Sequence, residues 1–291
     1  MDTLQSPLSE DPPPEPPVKP KTSGLAVASL ICGILPIPLL GSLAAIILSI
    51  KAKREIERSQ GTLTGNGLAD VGFYCGVLFG LFVLAGFILP VFLASAKKGS
   101  RTEALANAKS IGLALYNFEQ DYGSYPSADT AKEVMNNNPD SGLTFGSEYS
   151  NDYFRQLIAA GYLDSEKTFY AKTPYTRKPD NVMKGSQCLA AGEVGFGYIM
   201  ASATEALPSK GNSARPIVVS PLFNASTDGT FDSFDHEGKG VVQRLDNSGA
   251  VESIRKSDKK MLIGGGKTLL DSGEGTVWGD VKPVIRAPQK K

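Results

Sequence analysis

The residues best suited to chemistry lie in one acidic stretch, NASTDGTFDSFDHEGKG, residues 224–240. Asn224, Asp228, Asp232, Asp235 and Glu237 gather hard oxygen donors at a density that suits calcium. Asp228, Asp232, Asp235 and Glu237 are therefore the candidate calcium set, and no other cofactor is expected. The ordered D-x-[DN]-x-[DN]-G spacing of a calcium loop is absent, which makes solvated acidic side chains the plainer reading. His236 is the sole histidine, so any histidine-dependent triad or multi-histidine metal site would have to centre on it. Its nearby hydroxyl, Ser233, is close only in sequence, no G-x-S-x-G elbow exists, and Cys188 has no histidine beside it. The expectation is a non-enzyme in which His236, Gly238 and Gly240 form the structural lead-in to a hairpin. IGGGKT, residues 263–268, fails as a phosphate loop because Met261 stands where the first glycine belongs, and it reads as a turn.

Two kinds of sequence must position these residues. From Thr22 to Ile50 there is no charged residue, and from Val71 to Ala96 there is none again. Each run exceeds the ~20 residues that cross a bilayer as a helix, so two spans are expected. Pro36 and Pro38 interrupt the first, a kink that a membrane tolerates where neighbours re-satisfy the freed carbonyls. Gly72, Gly76 and Gly80 repeat G-x-x-x-G, a close-packing face expected to dock one span on the other. Lys51, Lys53, Arg54 and Arg58 between the runs outnumber Lys19 and Lys21 before them, placing the loop in the cytoplasm and both the tail and the C-terminal domain outside. Lys97, Lys98, Arg101 and Lys109 after the second run weaken that bias.

Ahead of the runs, residues 1–23 hold seven prolines and read as a solvated, extended tail. Residues 24–96 are the membrane domain and 97–291 the globular one. Lysine plus arginine equals aspartate plus glutamate, 30 against 30, and no basic block offers a nucleic-acid footprint. Cys32 and Cys75 fall in the apolar runs, leaving Cys188 alone and no disulfide framework within the globular domain.

After Ala96, the residues Ala104, Ala108, Ile111, Leu115, Phe118 and Tyr122 recur at helical spacing as one apolar stripe. With no proline between Val91 and Tyr125, the second span and this stripe can form one helix of about fifty residues, with Gly99 as a hinge point. SNDYFRQLIAAGYL reads as a helix capped by Ser150 or Asn151 and stopped at Gly161. GFGYIMA and PIVVSPL read as strands, and GVVQRL and AVESI as a hairpin about Asp246 to Gly249. The fold class is α+β: a long helix laid on a small antiparallel sheet.

NAKSIGLALYNFEQDYGSYP and ILPVFLASAKK resemble the segments after and at the end of the membrane helix in type IV pilin-like proteins, in particular the G-type pseudopilins of type II secretion. HEGKGVVQRLDNSGAVESI is similar to the C-terminal hairpin of planctomycete and verrucomicrobial pilin-like proteins. GLAVASLICGILP to GLADVGFYCGVL resembles a two-span bacterial membrane domain of unknown function. The pilin likeness implies a pilin fold; with the two apolar runs and the charge bias, the expectation is a multi-pass protein of the bacterial cytoplasmic membrane with its globular domain outside. Its partners would be the lipid bilayer and envelope or secretion-system proteins. Neither Gly86-Phe87 nor Pro90 as an alignment point supplies the basic leader and fifth-position glutamate of a prepilin, so ordinary prepilin processing is not implied. An extracytoplasmic calcium- or ligand-sensing module is the alternative function, and a hydrolase dependent on His236 the third.

Overall fold

A computed structural model describes residues 19–34 and 40–291. The chain divides into two compact units, residues 1–92 and 93–291. One helical segment, Asn66–Tyr122, contributes to both and is long and apolar enough to cross a membrane. Pro36 and Pro38, and all but the last residues of the proline-rich tail, lie outside the described residues.

The N-terminal unit is built from α1 (Gly24–Ile34), α2 (Leu40–Arg58) and α3 (Asn66–Val83), which pack pairwise against one another. Its interior is made mostly of small residues, with Ile56 and Val83 the larger buried ones. Ala26, Ala52 and Ala69 meet at one end, while Ser29, Ala45, Gly72 and Gly76 are buried further along. A side chain on Gly72 would strike Ser29 of α1, and one on Gly76 would strike Ser42 and Ala45 of α2. The G-x-x-x-G face is therefore the seat for both neighbours within the chain. The large apolar residues point the other way: Ile31, Leu43, Ile47, Leu78 and Phe82 are all exposed.

Among the described residues the first apolar run holds no helix long and apolar enough to cross a membrane; its apolar helix Gly24–Ile34 is shorter. Strand β1 (Lys21–Thr22) pairs in parallel with β2 (Leu63–Thr64), and the Ser23 hydroxyl donates to Glu55 at 3.1 Å. These contacts bring the beginning of α1 and the end of α2 to the same end of the unit. At 1.5 Å per residue α1 rises only about 16 Å, roughly half a bilayer core. Lys21 and Thr22 therefore lie at the same end of the unit as Glu55 and β2, at the close of the basic segment. Lys53 and Asp70 form an ion pair at this polar end.

After α3 the helix widens for one turn at Leu84–Ile88 before α4 (Leu89–Tyr122). Pro90 lacks the N–H that an undisturbed ladder needs, and a single π turn is a usual accommodation. The helix continues through Gly99.

In the C-terminal unit the expected stripe is the buried face of α4: Ala104, Ala108, Ile111, Leu115 and Phe118 are each 1% exposed or less. Tyr122 stacks on Phe118 with ring centres 4.4 Å apart. The stripe joins a single core with α5 (Ala128–Asn137), α6 (Ser150–Ala159) and a five-stranded antiparallel sheet. The strands are β3 (Gly197–Met200), β4 (Pro216–Ser220), β5 (Lys239–Arg244), β6 (Gly249–Ser253) and β7 (Val284–Arg286), in the order β6-β5-β4-β3-β7. Gly112 permits the closest approach, since any side chain there would occupy the space of Gln243 on β5. Gly161 stops α6 with φ 80°, as expected. The cap of α6 is instead Tyr149, held by Asp152, which accepts from the Glu148 and Tyr149 amides at 3.0 Å each. Ser150 and Asn151 reach out of the helix, to the carbonyls of Phe196 and Leu189.

Candidate functional site

The acidic stretch follows β4 and runs into β5, and Asp228, Asp232 and Glu237 are engaged separately. Asp228 accepts from the Thr230 hydroxyl at 2.6 Å and amide at 2.9 Å, which hold its carboxyl below the ordinary range. Asp232 accepts from the Phe234 amide at 2.7 Å. Burial and neighbouring Asp232 push the Asp235 carboxyl up. Glu237 lies 3.6 Å from the Arg101 guanidinium of α4, which also donates to the His236 carbonyl at 3.3 Å. Lys97, one turn earlier, sits 3.5 Å from the centre of the Phe234 ring. The stretch thus clasps the first turns of α4 within this unit, through one cation–π contact and one ion pair.

His236 is fully buried, and neither ring nitrogen has a hydrogen-bond partner among the described residues. Burial, assisted by the Arg101 charge, lowers its pKa to about 4, so it is neutral at physiological pH. A general base must reach the proton it takes, and here no hydroxyl or thiol is in contact with either nitrogen. Gly238 adopts φ 74°, and a side chain on Gly240 would run into Met261, so both glycines serve the lead-in to β5. Cys188 is buried, with its thiol pushed up to about 12 by burial and by Glu166 nearby, opposite to what a nucleophile needs. Residues 263–268 form a turn closed by the Ile263 amide on the Lys267 carbonyl, with all three glycines at positive φ.

The carboxylates that do converge are three others. Oxygens of Glu166, Asp180 and Glu193 lie within 4.8 Å of one another. Glu166 sits in a 3-10 turn, Glu166–Phe169, capped by Ser165, and Glu193 closes the Ala190–Glu193 turn just before β3. Asp180 lies on the intervening loop beside Asn181, whose left-handed backbone (φ 64°) turns its side-chain oxygen onto the Glu166 amide at 3.1 Å. Glu166 and Glu193 are fully buried, whereas Asp180 is exposed. Glu193 accepts from the Ala190 amide at 2.8 Å and pairs with Arg177 at 3.2 Å. Glu166 accepts from the Leu189 amide at 2.6 Å through Oε1, but its buried Oε2 has no partner among the described residues. Burial first, and the neighbouring Glu193 carboxylate next among the raising causes, push the Glu166 carboxyl up. No spacing motif connects 166, 180 and 193. The only signal in the sequence is an acid, Glu193, set in the otherwise small and apolar AAGEVGFG.

Residues 25–86 match the family described as Domain of unknown function (DUF4190). The match spans α1 to α3 and includes neither the acidic stretch 224–240 nor Glu166, Asp180 and Glu193. No curated protein and no solved structure matches the chain.

Proposed function

We propose that this is a membrane-anchored, pilin-like scaffold or interaction protein of the bacterial envelope, without enzymatic activity. The observation that carries the reading is the inverted packing of the N-terminal unit, with alanine, serine and glycine inside and leucine, isoleucine and phenylalanine outside. Helices associate in this way in lipid, where burying a large apolar side chain gains little and close backbone approach gains more. The α4 seam beneath an antiparallel sheet ending in a β5–β6 hairpin supports the pilin-like half. On this reading α1 and α2 form a half-depth re-entrant hairpin and the helix from Asn66 makes the crossing. The six basic residues Lys19, Lys21, Lys51, Lys53, Arg54 and Arg58 then face the cytoplasm, and residues 97–291 lie outside.

Reporter fusions at the N-terminus, at residue 60 and at the C-terminus test this. The first two should report the cytoplasm and the third the exterior. An exterior N-terminus would restore a two-span arrangement, and a cytoplasmic C-terminus would end the envelope reading. Alkaline extraction should leave the chain in the membrane pellet, and its release would overturn the anchor.

A further inference from the structure

We propose that Glu166, Asp180 and Glu193 hold a hard divalent cation of the calcium class, at a site distinct from the acidic stretch 224–240. The cluster brings three carboxylates together with one cation, Arg177, which reaches Glu193. Two of the three carboxylates are fully buried, where like charges without compensation are costly. The independent observation is the second oxygen of Glu166. Its partner Oε1 is fixed by the Leu189 amide, which holds the carboxylate in place, while Oε2 is buried without a donor among the described residues. Buried acceptors are almost always satisfied, so an orphan beside two further carboxylates calls for a positive ligand.

A hard divalent cation takes several oxygen ligands, and the three carboxylates bring oxygens within 4.8 Å of one another, near enough to converge on one ion. One side of the site is open, since Asp180 is exposed, so an ion can enter and keep water ligands. Each carboxylate is oriented by a backbone amide: Leu189 on Glu166, Ala190 on Glu193 and Val182 on Asp180 at 2.9 Å. Such second contacts hold ligands ready for a metal. The ion would pin the loop bearing Asp180 to the turn that enters β3.

The test uses the full chain in detergent, with thermal unfolding followed by the fluorescence of Trp278. This is the sole tryptophan, and it is fully buried in the C-terminal unit. Relative to EDTA, millimolar calcium should raise the melting temperature by about 5 °C, and magnesium by less. Glu166→Gln should abolish the shift, and Asp232→Ala should keep it. Asp180→Asn, at an exposed position where asparagine still accepts from the Val182 amide, should weaken it and serves if the Glu166 variant misfolds. No shift in the wild type overturns the proposal, and so does a shift that survives Glu166→Gln or disappears with Asp232→Ala.

Discussion

The two units of this chain bury opposite inventories. Around Ala26, Ala52 and Ala69 the N-terminal unit has almost nothing large inside, while the C-terminal unit encloses Trp278, Tyr153, Tyr198, Phe118 and Phe154. In water the driving force is the apolar area removed, about 25 cal/mol per Å², and an interior of alanine and glycine supplies little of it. In lipid that force is absent, and small residues win because they let helices touch. On the proposed reading, one polypeptide is thus written for two solvents. A substitution that is ruinous in one unit should be nearly silent in the other.

The largest effect expected is in the aqueous core. Phe118 is fully buried, stacked on Tyr122 and edge-on to Tyr162 with ring centres 5.8 Å apart. Phe118→Ala should cost about 3–5 kcal/mol, read from urea unfolding followed at Trp278. A loss under about 1 kcal/mol would mean that the α4 seam is not a core element, and the pilin comparison would go with it.

Next in size is a pH effect confined to the same unit. The His236 pKa of about 4 in the fold stands below its ordinary 6.5, so the unfolded chain takes up a proton that the folded one refuses. Stability is therefore full above pH 6.5, falls as pH drops through the interval between the two values, and has lost about 3 kcal/mol by pH 4. Glu166 and Asp235, whose carboxyls are raised, act in the opposite direction. The measurement is thus the difference in slope between the wild type and His236→Gln, which should be flatter between pH 4 and 6.5. Equal slopes would show that the ring is not held neutral.

A smaller cost is expected where the membrane-type unit is tightest. A Cβ on Gly72 would stand 2.6 Å from the Ser29 hydroxyl and 2.9 Å from its carbonyl carbon. Gly72→Leu should destabilise this unit by about 1–3 kcal/mol, detected as earlier reaction of Cys32 and Cys75 with a thiol dye in a Cys188→Ala background. The Trp278 transition should stay where it was. Movement of both probes together would show that the units unfold as one.

Legibility followed the range of the interactions. The α4 stripe, β3, β4 and the β5–β6 hairpin could be read from periodicity because each is a local pattern against one buried face. Helix α5 also has a local signal, Ser127 followed by Thr130, whose reciprocal cap is present, but its apolar set, Ala131 and Val134, is too short to mark a period. β7 is three residues long and has no period to detect. The folding back of the first apolar run depends on two-residue strands forty residues apart, so its uncharged length alone argued for a span. The carboxylate cluster was hidden for the same reason: Glu166, Asp180 and Glu193 meet only through turns that the core sets in place. Conversely, in the acid-dense stretch 224–240, Asp228, Asp232 and Glu237 each have a local partner of their own.

The smallest expected effect is also the sharpest discriminator. Leu78 is 73% exposed on α3, whereas Leu157 of α6 is fully buried. Leu157→Ala should cost about 2–5 kcal/mol at the Trp278 transition, the usual range for emptying a packed leucine site. Leu78→Ala changes a mostly exposed side chain and opens no buried cavity, so in detergent it should shift the thiol-dye transition by no more than about 0.5 kcal/mol. If Leu78→Ala instead cost as much as Leu157→Ala, a protein surface would cover the outer face of α3. The G-x-x-x-G seam, already filled by α1 and α2, could not supply that surface, so it would have to come from another chain. The silence of Leu78 is therefore what separates an anchor whose neighbour is lipid from an anchor that is half of an interface.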